Sequence, residues 1–318
     1  MIINVAYACN EFYMEQTTVS LLSLFDSNKH LDKINVYFID MGISETSKKE
    51  LHELINQLNG SLQIIPFKTI AYDLNINNTG RHIESVYAKI FFGRIPNINR
   101  ILYLDSDVVV VDKLDDFWNS NLKDKYCACV RTLASRKLCQ QLGVDENSDI
   151  VNDGVVLMNL EKWRNDSILE KCLAYISKWN GNPPVLSEGT INAVCNGKIL
   201  VVSPKYNLMS GLVEGSEKKF EKLTERPFYS QKVLNDARTN PCIIHYLSGF
   251  YNRPWCKKCS HPMKSVYLKY RKQTKWRDKP LSRKKISLRL RVIGTLLKLL
   301  PIEIFTSIRH HIGKKYYA

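Results

Sequence analysis

Arg100-Ile101-Leu102-Tyr103-Leu104-Asp105-Ser106-Asp107-Val108-Val109-Val110-Val111 is an apolar stretch broken once, by two acids. The hydrophobic run 101–104 reads as a buried strand, and a second apolar run starts immediately after Asp107. Upstream, apolar strand candidates at 2–8, 34–39 and 62–67 alternate with helix-period stretches at 15–25 and 45–58. Ser44 is a suitable N-cap for the second of these, with Ser47 three places on and Leu51, Leu54, Ile55 and Leu58 along one stripe. A further helix with Val86, Ile90 and Phe91 leads into Arg100. Such alternation predicts an α/β fold on a parallel, doubly wound sheet, whose ligands bind beyond the C-terminal ends of the strands. Asp105 and Asp107 stand at such an end.

In extended backbone, residues i and i+2 face the same side, and two carboxylates held close together repel unless a cation lies between them. Hard divalent ions such as Mg²⁺ and Mn²⁺ prefer oxygen ligands and bridge to diphosphates, where they neutralise charge on a departing group. The alternative is a turn with two solvated aspartates.

Bulk properties narrow the field. A chain of 318 residues, 44% hydrophobic and 10% aromatic, can bury one large core with a small appendage. It has no run of about 20 apolar residues, so no helix is built to span a bilayer. The start, Met1 to Tyr7, has neither a basic segment nor a small-residue cleavage site, and reads as a first strand. Nine cysteines scattered through apolar segments read as reduced, mostly buried cytosolic thiols; Cys256 and Cys259 form a lone C-x-x-C without the second pair that zinc sites need. The net charge of +15 is unevenly placed: residues 252–318 hold 19 Lys and Arg against Asp278 and Glu303, whereas residues 1–251 hold 27 basic and 29 acidic side chains. A basic tail on a neutral body indicates an anionic surface as partner.

The segment Leu102 to Val108 resembles the metal-binding D-x-D segment of glycosyltransferase family 8, the retaining galactosyl- and glucosyltransferases. Three other blocks follow in the family's order: Val5-Ala6-Tyr7-Ala8-Cys9-Asn10, Val151-Asn152-Asp153-Gly154-Val155 through Asn159-Leu160 to Trp163-Arg164, and His245-Tyr246 with Arg253-Pro254-Trp255. The resemblance covers roughly residues 2 to 276. It implies a GT-A fold, Rossmann-like, with a mixed central sheet flanked by helices. A catalytic domain would occupy residues 1–278 and a basic amphipathic tail residues 279–318.

Carried over residue by residue, the resemblance makes Asp105, Asp107 and His245 the ligands of Mn²⁺ or Mg²⁺; apart from it, His245 reads as a core histidine on an apolar strand. Ala6, Tyr7 and Asn10 would meet the uridine and ribose of UDP-glucose or UDP-galactose, although Asn10 equally suits a loop cap. His82 and Lys89 would reach the donor sugar and phosphates, with lysine replacing the arginine common in the family and losing its planar fork. Ser106, Gly249 and Arg253 complete the nucleotide-contacting set. Asn152 and Asp153 would face the hexose, although Asn-Asp-Gly is also an ordinary tight turn.

The sharpest departure is Ser187-Glu188-Gly189-Thr190-Ile191-Asn192, where the family usually reads D-Q-D-x-x-N. Glu188 falls where glutamine is common, and a glutamate there acts as a nucleophile or stabilises an oxocarbenium-like transition state. The plain alternative is Ser187 as a helix N-cap followed by an acidic first-turn residue.

Ile286, Leu290, Ile293, Leu297 and Leu300 recur along one helical face, with Lys284, Arg291 and Lys298 opposite. Residues 283–318 therefore read as a segment lying on an anionic membrane, or else as a helix packed on the body with a solvated basic face. The tail's stripe is aliphatic, not aromatic, which weighs against nucleic acid. The expected activity is retaining transfer of a hexose from a UDP-sugar to a glycan or lipid-linked saccharide acceptor for cell-surface polysaccharide. It would take place in the cytoplasm, at the inner face of a bacterial membrane. The alternative is a non-catalytic or hydrolytic nucleotide-sugar binder, which Glu188 keeps open.

Overall fold

The computed structural model describes residues 1–77, 83–248 and 251–283. His82, Gly249 and the predicted tail helix from Lys284 onward lie outside the described residues.

Among the described residues ten strands form two sheets. The larger contains β1 (Ile2–Cys9), β2 (Lys33–Asp40), β3 (Ser61–Pro66), β4 (Arg100–Leu104), β6 (Cys127–Arg131), β7 (Val151–Asn159) and β8 (Ile199–Val201), in the order β3-β2-β1-β4-β7-β6-β8. The smaller contains β5 (Val108–Val110), β9 (Leu208–Met209) and β10 (Ile243–His245), in the order β5-β10-β9. Strands β3, β2, β1 and β4 run parallel, as the alternation predicts. The other half does not: β7 is antiparallel to both β4 and β6. The sheet is mixed, because strand–helix alternation fixes which segments pair but not the direction in which a long connection brings the next strand back.

Alternate residues feed two cores, as the pleat requires. Val5, Tyr7, Leu102, Leu104, Val155 and Leu157 enter one, and Ala6, Ile101, Tyr103, Val156 and Met158 enter the other. The expected helices are present at Met14–Ser27 and Glu45–Gln57. Ser44 caps the second by accepting from Ser47 N, as the sequence indicates. All nine cysteines are free, and eight are buried. The last described helix, Lys264–Arg271, packs on Met14–Ser27; there Tyr270 donates to Asp26 and Arg271 pairs with Glu15 at 2.7 Å. Residues near Pro280 stay tied to the body, since Lys257 N donates to Ser282 O and Ser282 N to Trp255 O.

The order of strands reverses between β1 and β4, with β2 beyond one and β7 beyond the other. A crevice at such a switch point is where open α/β sheets bind ligands.

Candidate active site

Pairing between strands assembles the site. Because β7 runs antiparallel to β4, Leu104 pairs with Val155, and Asp105 N donates to Gly154 O at 2.8 Å. The start of β7 is thereby set beside the end of β4, and Asn152-Asp153-Gly154 next to Asp105-Ser106-Asp107. Asn-Asp-Gly is not the tight turn its composition suggests; all three lie within β7. The D-x-D segment itself is a turn and not extended chain, yet its carboxylates still converge.

The small sheet supplies the histidine. His245 pairs with Val108, and Tyr246 N donates to Asp107 O at 2.9 Å. The ring is wholly buried, with Nε2 3.1 Å from Asp107 Oδ1 and 3.7 Å from Asp105 Oδ2. Ligand atoms of Asp105, Asp107 and His245 lie within 4.8 Å of one another. A Cβ at Gly154 would stand 2.4 Å from His245 Cε1 and 2.5 Å from Asp105 Oδ2. The glycine therefore leaves a cradle at the centre of this group that any side chain would close. Two carboxylates and an imidazole around such a space are a fitting donor set for a hard divalent ion.

The charges beside it are unequal. Burial tends to raise the Asp107 carboxyl, but Arg253, donating at 2.7 Å, and His245 outweigh it and lower the group to about 2. Asp105 is raised by burial and by Asp107, against the pull of Lys89. Tyr103 donates to Asp105 Oδ1 at 2.7 Å. Ser106 accepts from or donates to Thr17 at 2.9 Å between hydroxyls.

On the other side of Gly154, Lys89 is almost completely buried, 2.9 Å from Asp153 Oδ2 and 4.5 Å above the Tyr103 ring. Burial disfavours its charge, but Asp153 and Asp105 reverse that and raise it above the ordinary lysine value. Ser187 Oγ donates to Asp153 Oδ2 at 2.6 Å. Ser187 is therefore not an N-cap: it sits inside the helix Leu186–Val194, which the chain enters through Val185 and Leu186, both at φ +55°. Glu188 follows, its Oε2 accepting from Asn152 Nδ2 at 2.7 Å. Burial first, and Asp153 second, push its carboxyl up to about 8. Asn192 pins this helix to β7 by bonding both N and O of Val151 at 2.8 Å, as a neighbouring strand would.

Asn207 was not singled out in the sequence. It is wholly buried, and its side chain bridges Asn152 and His245. A single asparagine after Pro204-Lys205-Tyr206 carries no local signal for this. Of the three residues assigned to the nucleoside, Ala6 and Tyr7 are fully buried, and Tyr7 bonds Ser20. Asn10 is partly exposed and accepts from Phe12 N, acting as the cap that was its alternative reading. The second half of the β7 block is scaffold: Asn159 caps the next helix, Trp163 Nε1 donates to Ile90 O, and Arg164 bonds Asn99.

The model of glycosyl transferase family 8 matches residues 4–259. The chain belongs to that family. Among similar proteins, general stress protein A of Bacillus subtilis is 23% identical over 264 residues, covering 81% of this chain and 88% of its own. The lipopolysaccharide 1,2-glucosyltransferase of Escherichia coli K12 is 22% identical over 285 residues, covering 87% and 79%. The galactosyltransferase LgtC, solved with donor and acceptor sugar analogues, has 20% identity and a TM-score of 0.70 over 87% of this chain and 99% of its own. The architecture is the GT-A fold, and the family makes the chain a glycosyltransferase. Among the described residues no helix is long and apolar enough to cross a membrane.

Proposed function

We propose that this family 8 glycosyltransferase moves a hexose, glucose or galactose, from a UDP-sugar to a glycan or lipid-linked saccharide, with retention of configuration. The observation that carries the reading is the convergence of Asp105, Asp107 and His245 on the Gly154 cradle, which Asn152, bonded to Glu188, also borders. Asp105, Asp107 and His245 would hold Mn²⁺ or Mg²⁺, which when bound supplies Lewis-acid neutralisation of the departing diphosphate. Lys89 fixes the Asp153 carboxylate, and Asn152 aims the Glu188 carboxyl. Arg253, already on Asp107, would meet nucleotide phosphate.

In the double-displacement form, a Glu188 oxygen bonds to the anomeric carbon as the bond to the diphosphate oxygen breaks and UDP leaves. An acceptor hydroxyl then attacks that carbon, its proton passing to the UDP diphosphate or to water as the bond to Glu188 breaks and the carboxylate is freed. In the other form Glu188 stabilises the oxocarbenium-like transition state without a bond. LgtC and the E. coli enzyme, a galactosyltransferase and a lipopolysaccharide glucosyltransferase by name, support the sugar class and the acceptor class. An active-site mutant of LgtC with glutamate replacing glutamine shares the fold at a TM-score of 0.69; here glutamate is the natural residue.

The test is product formation from UDP-glucose and UDP-galactose with Mn²⁺. We expect transfer that chelator abolishes. Transfer indifferent to chelator, or release of UDP with free sugar alone, would overturn the reading. The basic segment 283–318 is proposed to hold the enzyme on the inner leaflet. Cosedimentation with anionic vesicles should fall when the chain ends near Pro280, and equal pelleting would refute it.

A further inference from the structure

A backbone amide can only donate, and one such amide fixes the proton on His245. Gly154 N–H donates to Asn152 Oδ1 at 3.1 Å. That sets the Asn152 amide with its oxygen toward Gly154 and its NH₂ toward Glu188, whose Oε2 accepts at 2.7 Å. The same Asn152 oxygen lies 2.9 Å from the Asn207 side chain, so the Asn207 NH₂ must face it and donate. Asn207 Oδ1 is then turned to His245 Nδ1, also at 2.9 Å. An amide oxygen accepts only, so Nδ1 carries the proton. Nε2 is left facing Asp107 Oδ1 at 3.1 Å and Asp105 Oδ2 at 3.7 Å.

We infer that Asn207 is the positioning residue that locks His245 in its Nδ1–H form and so keeps Nε2 available to a divalent cation. This rests on the cation reading of the site. Asn207 is the last residue of the turn Pro204–Asn207 and is held there by β9, whose Leu208 and Met209 pair with Ile244 and His245. Donation runs from His245 through Asn207 to Asn152, whose oxygen also accepts from Gly154 N–H. Without the Asn207 oxygen, the ring is free to place its proton on Nε2 and donate it to Asp107, which would close the site to a cation. A neutral amide in this role also adds no further charge to a pocket that already holds Asp105, Asp107, Asp153 and Glu188. Ligand histidines are commonly oriented by such a partner, and its loss typically weakens metal binding about 10–100-fold.

The test compares Mn²⁺ affinity, followed by electron paramagnetic resonance, in the wild type, Asn207→Leu and Asn207→Asp. Leucine keeps the branched shape and the number of heavy atoms and removes the acceptor, so affinity should drop about 10–100-fold. Aspartate keeps an acceptor for Nδ1–H and loses the donor toward Asn152, so most of the affinity should remain. Affinity unchanged in Asn207→Leu, or lost equally in Asn207→Asp, would overturn the inference. Nitrogen-15 spectra of histidine-labelled wild type with Mg²⁺ give a second measurement that needs no variant. They should show a proton on His245 Nδ1 and none on Nε2, the signal being assigned by its loss in His245→Gln; a proton on Nε2 would overturn the inference even if Asn207→Leu failed to fold. Absence of Mn²⁺ binding by the wild type would remove the cation reading and this inference together, whereas wild-type binding with an indifferent Asn207→Leu would remove this inference alone.

Discussion

Lys89 lies 2.9 Å from Asp153 and is nearly inaccessible, so on that side of Gly154 a buried acid has its counter-charge within the fold. On the other side two acids meet, and among the described residues the cationic side chain bonded to them is Arg253, on the outer oxygen of Asp107. His245 brings a ring nitrogen to the same place. In the proposed reading the donor wall is therefore complete as folded, whereas the acidic pair is complete only with a cation. Stability and ligand affinity should be distributed between the two halves in opposite ways.

The largest effect should come from breaking the finished half. Lys89→Met strands Asp153 in a buried place, and loss of one partner from such a pair costs about 3–5 kcal/mol, measurable by denaturant unfolding without metal. Asp105→Asn should act in the other direction. It relieves a like-charge pair, keeps an acceptor for Tyr103, and should raise the metal-free Tm by about 1–2 °C, as about 1 kcal/mol does in a chain of 318 residues. The same variant should lose Mn²⁺ binding. If both variants destabilise the metal-free protein alike, the two halves do not differ as described.

A smaller effect sharpens the comparison by pH. Glu188, raised to about 8 by burial and Asp153, is mostly protonated at pH 7 in the free enzyme. A nucleophile or electrostatic stabiliser must be ionised, so kcat/KM should climb with pH through about 8 and then level off. The gain between pH 7 and 9 is about tenfold, which is about 1.4 kcal/mol. Glu188→Gln has no proton to lose and should lack that limb as well as most of the turnover. A wild-type profile flat from pH 6 to 9 would show that this carboxyl is ionised throughout or takes no part.

What was legible in the sequence followed from local rules. An apolar run ending in two acids marks a strand end, and Asp105 and Asp107 are there. Ser44 is a cap because its hydroxyl reaches Ser47 N from the adjacent turn. The family blocks supplied His245, which composition alone would have left in the core. The misses arise where a distant segment decides. β7 runs antiparallel because of the connection before it, and this draws Asn152-Asp153-Gly154 out of a turn into a strand. Ser187 is recruited by Asp153, 34 places away, and not by its own helix. Asn207 meets Asn152 and His245 from separations of 55 and 38 residues, which no window on the sequence spans.

The smallest effect concerns how the donor wall is entered. Val185 and Leu186 both sit at φ +55°, left-handed backbone that costs an L-residue about 1–2 kcal/mol, and Val185 is branched and 47% exposed. The turn is this tight because Gly189 admits the Pro184 carbonyl; a Cβ there would lie 1.8 Å from that oxygen. The strained pair thus sets Ser187 on Asp153 and Glu188 on Asn152. Glycine at 185 removes the strain but loses about 0.5–1 kcal/mol of chain entropy, so Val185→Gly should leave a net gain below about 1 kcal/mol, a rise of about 1 °C in Tm. Thermal unfolding of the metal-free protein measures it, and a fall in Tm would mean that the half-exposed valine contributes more through packing than its backbone costs. The acidic pair is held differently, by the pairing of β4 with β7 and of β5 with β10 and by Tyr103 and Arg253, and substitution at 185 should leave Mn²⁺ affinity where it was.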